Sequence, residues 1–183
     1  MNIHQMQMSY LTQEDRLILS INSQDKEEFR LFLTRRIIIS FWDILNRTIT
    51  HSLSTHTTPD DLLTIPESQQ QQMEQKITQQ IQHRHIIEKD DYETPFNNGN
   101  KFPMGEIPIL VEKITVNVYE NTKIVLIFES NQSQNISLNL TPQLLYNLSD
   151  LLIKVMPSTD WNINLVGENN ILASENKDKS LLH

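Results

Sequence analysis

Two stretches decide the fold: RLILSINSQDKEEFRLFLTRRIIISFWDILNRTI, Arg16–Ile49, and KIVLIFESNQSQNISLNLTPQLLYNLSDLLIKVM, Lys123–Met156. They align without a gap at an offset of 107, which lays Thr34 on Thr141. Identities are few: Leu19/Leu126, Ser23/Ser130, Leu31/Leu138, Leu33/Leu140, Thr34/Thr141, Asp43/Asp150 and Leu45/Leu152. The order of features matters more. Each stretch runs from an apolar segment through a polar turn into an alternating strand, then a Thr, then a helix. A gapless match of strand, turn and cap positions predicts internal duplication.

Each feature has a local cause. Phe29, Leu31 and Leu33 alternate with Arg30 and Phe32, and Ile136, Leu138 and Leu140 alternate with Ser137 and Asn139. Both patterns predict strands with one face on a core. The turns Asn22–Lys26 and Glu129–Ser133 are polar and join antiparallel strands. Thr34 and Thr141 stand where an N-cap hydroxyl accepts a free backbone N–H. Pro142 fills the first helical position, where a missing N–H costs nothing. The second helix reads Leu144, Leu145, Leu148, Leu151, Leu152, Val155 and Met156, ended by Pro157. The first reads Ile37, Ile38, Phe41, Ile44, Leu45 and Ile49, to about His51, with Ile39 and Trp42 off its main stripe.

Working outward, Ile107–Glu120 alternates at Ile114, Val116 and Val118, and predicts a strand before the second hairpin. Ile3–Leu11 is its weaker counterpart at the same offset. Residues 1–55 and 107–166 are therefore two β-β-β-α units of an α+β protein with antiparallel sheets. A short strand over Trp161–Val166 is expected to close the second. Residues 56–106 form a polar, Gln-rich linker, with Met73, Ile77 and Ile81 predicting one helix over 67–88. Residues 167–183 are polar and expected to be disordered. Strands that are apolar on both faces, with Ile18, Phe32, Val125 and Ile127 outward, need a cover on the second face. The candidates are the other half, the linker helix or another subunit.

The chain has 183 residues and a net charge of −8. That balance disfavours a general affinity for nucleic-acid backbones, which requires a surplus of Lys and Arg. No Cys is present, which excludes disulfides, thiolate metal sites and Cys nucleophiles. Met1–Tyr10 lacks a basic segment followed by an apolar run, and no stretch approaches a membrane span. A cytoplasmic protein without membrane contact is expected.

The chemistry-bearing residues are sparse. Three Gly, at 99, 105 and 167, build no phosphate-binding loop. His85 and Glu88 share a helix face, but the pair reads as solvated surface rather than a metal site. The carboxylates at Asp60-Asp61 and at Glu88, Asp90, Asp91 and Glu93 lie in connectors without apolar neighbours to raise a pKa. No catalytic residues, metal site or cofactor are assigned, and the chain is expected not to be an enzyme.

One local violation stands out. Arg35 and Arg36 follow the N-cap directly, where cations oppose the helix dipole at roughly 0.3–1 kcal/mol each. The equivalent residues are Pro142 and Gln143. With Arg30 and Phe32 on the preceding strand, Arg35 and Arg36 form a candidate anion- or partner-binding site. The alternative is a surface ion pair with Glu27, Glu28 or the acidic linker.

The hairpin, the strand ending in Leu138-Asn139-Leu140-Thr141 and the helix through Ile153 resemble the unit of the single-stranded nucleic-acid-binding coactivator, Whirly and Pur-alpha group. The resemblance covers both units. It implies a four-stranded sheet and helix paired with a second copy, in one chain for Pur-alpha. It further implies basic and aromatic residues on the outer sheet. Arg16, Arg30 and Phe32 fit that role, with Lys123, Ser137 and Asn139 opposite in the second half. The expectation from the residues themselves is a protein-interaction or assembly module that self-associates as a homo-oligomer or binds a protein partner. Single-stranded DNA or RNA binding through the basic patch of the first half is the alternative.

Overall fold

The computed structural model describes residues 3–54, 94–119, 123–130, 135–163 and 165, with the backbone alone at 50–54. The chain is α+β. Strands β1 (Ile3–Leu11), β2 (Arg16–Ser23) and β3 (Glu28–Leu33) lead into helix α1 (Arg35–Ser54). Strand β4 (Ile109–Leu110) follows, then β5 (Lys113–Val118), β6 (Ile124–Glu129), β7 (Asn135–Leu140) and helix α2 (Pro142–Val155). A 3₁₀ turn, Met156–Ser158, ends the last helix at Pro157.

The β2–β3 hairpin and the β6–β7 hairpin have one register. Leu17 pairs with Leu33 as Ile124 does with Leu140, and all six pairs down to Asn22↔Glu28 and Glu129↔Asn135 keep the offset of 107. Burial follows suit. Leu17, Leu19 and Ile21 are buried, as are Ile124, Leu126 and Phe128. The caps also repeat: Thr34 Oγ1 accepts from Ile37 N at 3.4 Å, and Thr141 Oγ1 from Leu144 N at 3.2 Å.

The first strand of each unit departs from that offset by one residue. Tyr10 pairs with Leu17, but Val118 pairs with Ile124, so β1 and β5 are related by 108. The cause is turn length. Four residues, 12–15, separate the Leu11↔Arg16 pair, whereas three separate Tyr119 from Lys123, whose backbones are bonded at 3.0 Å.

Two further expectations are corrected. The sheets are not wholly antiparallel, because β4 pairs parallel with β3 through Leu31↔Ile109 and Phe32↔Leu110. The stretch 107–120 is thus two strands. It breaks at Val111-Glu112 and enters a different sheet on each side, giving sheets ordered β1-β2-β3-β4 and β5-β6-β7. Residues 161–163 and 165 form no strand. Trp161 and Leu165 are instead buried in the core, 2% and 6% exposed. The predicted helix 67–88 lies outside the described residues.

On α1 the predicted stripe holds at Ile37, Ile38, Phe41 and Leu45, and Ile39 lies off it as expected, but Trp42 joins the buried face and Ile44 leaves it. Ile38, Phe41, Trp42, Leu45 and Thr48 are buried, while Ile44 and Ile39 are exposed. The spacing i, i+3, i+4, i+7 puts Trp42 in the row of Ile38 and Leu45. Their offset partners on α2, Leu145, Leu148, Ser149, Leu152 and Val155, are all buried too. The helices meet each other and reach across: α1 packs by β5 and α2 by β1. One continuous core cluster draws on both units.

Candidate partner interface

Alternation along the paired strands defines two outer sheet faces. On the first sheet the rows are Gln5, Asn22 and Glu28; Gln7, Ser20 and Arg30; and Ser9, Ile18, Phe32 and Leu110. Arg16, paired with Leu11, lies one row beyond on the same face of β2. On the second sheet the rows are Lys113, Glu129 and Asn135; Thr115, Ile127 and Ser137; and Asn117, Val125 and Asn139.

The four candidate residues divide between two places. Arg30 and Phe32 share the outer face of β3. Phe32 is buried, 9% exposed, with the Arg16 guanidinium 5.4 Å from its ring centre and Leu110 beside it. The cover for this part of the second face is therefore the returning segment before β5, together with an arginine. Arg30 stacks on Phe102 at 4.7 Å, and its Nε donates to Glu28 Oε1 at 2.6 Å. Arg35 and Arg36 are exposed at the start of α1. Among the described residues neither side chain makes a hydrogen bond or an ion pair within 4.0 Å. Glu28, offered by the sequence as a partner for them, is taken by Arg30.

Sequence reasoning missed a polar clamp at the end of this face. Glu28 is buried, and its Oε2 accepts from Gly99 N at 2.6 Å while Oε1 holds Arg30. Beside it, buried Asn22 accepts from Gln5 N at 2.7 Å and donates to Asn97 O at 2.6 Å. Gln5 closes the ring, accepting from Asn97 N at 2.9 Å and donating to Pro95 O at 3.2 Å. Lys26 O accepts from the backbones of Asn100 and Lys101. A Cβ at Gly99 would stand 2.7 Å from Glu28 Cβ and 2.8 Å from Lys26 O. Only glycine lets the segment lie this close. Asn98-Gly99 was legible as a turn, but no local pattern names Glu28 as its receptor.

A second missed contact joins the two units. Trp161 Nε1 and Tyr10 Oη both donate to Asp15 Oδ1, the Tyr10 bond at 2.7 Å, and the two rings meet edge to face at 5.9 Å. The Tyr10 hydrogen bond, then that of Trp161, then the charge of Arg35 hold the Asp15 carboxyl below its usual range. Tyr10 is raised, chiefly by the same hydrogen bond. On the other sheet Glu129 is lowered by its bonds from Lys113, 3.0 Å, and Thr115, 3.0 Å.

The sheets differ at their last edge. The outer edge of β3 is paired by β4, whereas β7 pairs with β6 alone among the described residues. Its outward residues Asn135, Ser137 and Asn139 are exposed and uncharged. Such an edge offers unpaired backbone N–H and C=O groups to another strand. No three metal-ligating side chains assemble among the described residues, and no helix there is long and apolar enough to cross a membrane. His85, Glu88 and the carboxylates at 60–61 and 90–93 lie outside them. No protein-family model, curated protein or solved structure matches the chain.

Proposed function

We propose that this protein is a non-enzymatic assembly module whose two units arose by duplication and which self-associates by adding a strand at β7. The observation that carries the proposal is the asymmetry of two strands in equal register. β3 has its outer edge paired by β4, and β7, among the described residues, does not. Nothing on β7 repels a second strand. It lacks the Lys and Pro that commonly blunt exposed edges. The inner residues Ile136, Leu138 and Leu140 already sit in the core, so an added strand would extend an existing apolar face. Light scattering at increasing protein concentration is the test. A dimer or higher oligomer is expected, with Ser137→Lys and Asn139→Lys together shifting it to monomer at unchanged circular dichroism. A strict monomer at high concentration overturns the proposal.

The second reading is single-stranded nucleic-acid binding, favoured by the resemblance and by the two arginine–aromatic stacks on the first sheet's outer face. Against it, Arg16 and Arg30 each stand by a carboxylate, Glu14 at 3.5 Å and Glu28 at 2.6 Å, and each covers the ring a base would need. Fluorescence anisotropy with labelled oligo-dT decides it. No binding at low salt is the expected result. Binding that falls steeply with salt, and weakens in Arg35→Ala/Arg36→Ala, supports the second reading instead.

A further inference from the structure

We infer that the strand added at β7 comes from the C-terminal stretch Gly167–Ala173 of a second copy of the chain, a deepening that rests on the assembly proposal above. The chain has only three glycines, and two of them open the same pattern. Gly105-Glu106-Ile107-Pro108-Ile109-Leu110-Val111 leads into and through β4. Gly167-Glu168-Asn169-Asn170-Ile171-Leu172-Ala173 repeats it, with Gly, Glu, Ile and Leu at identical spacing. The first of these glycines shapes the backbone, since Gly105 has a φ of 89°, which turns the chain before β4. Residues 166–183 lie outside the described residues.

The receiving edge has the matching register. Ile109 and Leu110 pair with Leu31 and Phe32. The offset of 107 makes Leu138 and Asn139 the equivalents on β7, so Ile171 pairs with Leu138 and Leu172 with Asn139. Ile171 then faces inward like buried Ile109, and Leu172 lies outward, one strand from Val125, as Leu110 lies beside Phe32. Backbone pairing supplies the affinity and alternate side chains the register, as in strand addition generally.

A short tether favours the second copy. Between the end of α1 and β4 the first unit has the whole stretch 55–108, ample to return along its own sheet. In the second unit Leu165 is already buried, so five residues, 166–170, separate the fixed chain from Ile171. Extended, the six steps from Leu165 to Ile171 span at most about 22 Å. Short hinges favour exchange of an identical element between copies over closure within one. Exchange is reciprocal: each copy gives its tail and receives its partner's, which closes a two-fold dimer.

The test compares the full chain, a chain ending at Val166 and the variant Leu172→Asp. Sedimentation gives the mass, and hydrogen exchange reads the backbone of Asn135–Leu140. The full chain is expected to be a dimer with β7 protected. Truncation and Leu172→Asp should halve the mass and speed β7 exchange about tenfold or more. A peptide of residues 165–177 added to the truncated chain should restore the protection, and a scrambled peptide should not. That rescue also shows that the truncated chain is folded. A dimer that persists without the tail overturns this inference but leaves self-association standing. A monomeric full chain overturns both, whether its β7 is unprotected or is protected by its own tail.

Discussion

Gly99 and Glu28 show how much of this architecture rests on single side chains. The approach of Gly99 N to Glu28 leaves no room for a methyl group. Gly99→Ala should therefore destabilise the protein by about 1–3 kcal/mol, as overpacking does, read as a shift in urea midpoint. Glu28→Ala removes the acceptor of two bonds, one of them from the Arg30 guanidinium, and should cost about 1.5–3 kcal/mol. Asp15 carries part of the pH dependence. Its folded carboxyl is lowered, so its stabilisation is present at neutral pH and is lost as pH falls through the folded value. Tyr10 is raised, so its share is present below the ordinary tyrosine range and lost as pH rises past it. Asp15→Asn should flatten both limbs of a stability–pH profile, while Glu129→Gln should flatten the acid limb alone. Trp161→Ala, which empties a buried site, should cost about 3–5 kcal/mol.

At the scale of elements, the parts with strong local causes were legible from the sequence. Thr34 and Thr141 announced both helices because a hydroxyl at an N-cap acts within three residues of itself. The alternation of Ile136, Leu138 and Leu140 placed β7 because strand burial has a period of two. β4 was not legible. Two residues are too few to show a period, and their parallel pairing with β3 is set across some 78 positions, from Leu31 to Ile109. The candidate site was legible only as residue types. Arg30 and Arg36 look alike in sequence, but Glu28 and Phe102 engage the first and leave the second exposed. The helix starts remain a place for a clean test. Arg36→Glu should stabilise α1 by about 0.3–1 kcal/mol at low salt, with the gain shrinking as salt rises, whereas Arg35→Glu also removes the charge that favours the Asp15 carboxylate and should gain less. If neither raises the thermal midpoint, the two cations are held by contacts that offset the dipole.

The whole molecule is expected to unfold as one cooperative body, because its core crosses between the units. α1 lies by β5, α2 lies by β1, and Trp161 reaches Asp15. Trp42 and Trp161 belong to different units and are both buried. Measured one at a time in Trp161→Phe and Trp42→Phe backgrounds, each corrected for its own mutation, they should report the same denaturant dependence. Two separated transitions would show that the units unfold independently. The fourth strand of the first sheet has another consequence, for cutting the chain. Because β4 sits beyond the linker and only Val111-Glu112 separate it from β5, a break anywhere in 55–93 gives two fragments that each hold part of the same sheet. The N-terminal fragment keeps Glu28, Asn22 and the bare edge of β3. The C-terminal fragment keeps Gly99, Asn97 and the strand that fills that edge. Such a pair is a split protein, and mixed in solution its halves should find each other and refold without any covalent link.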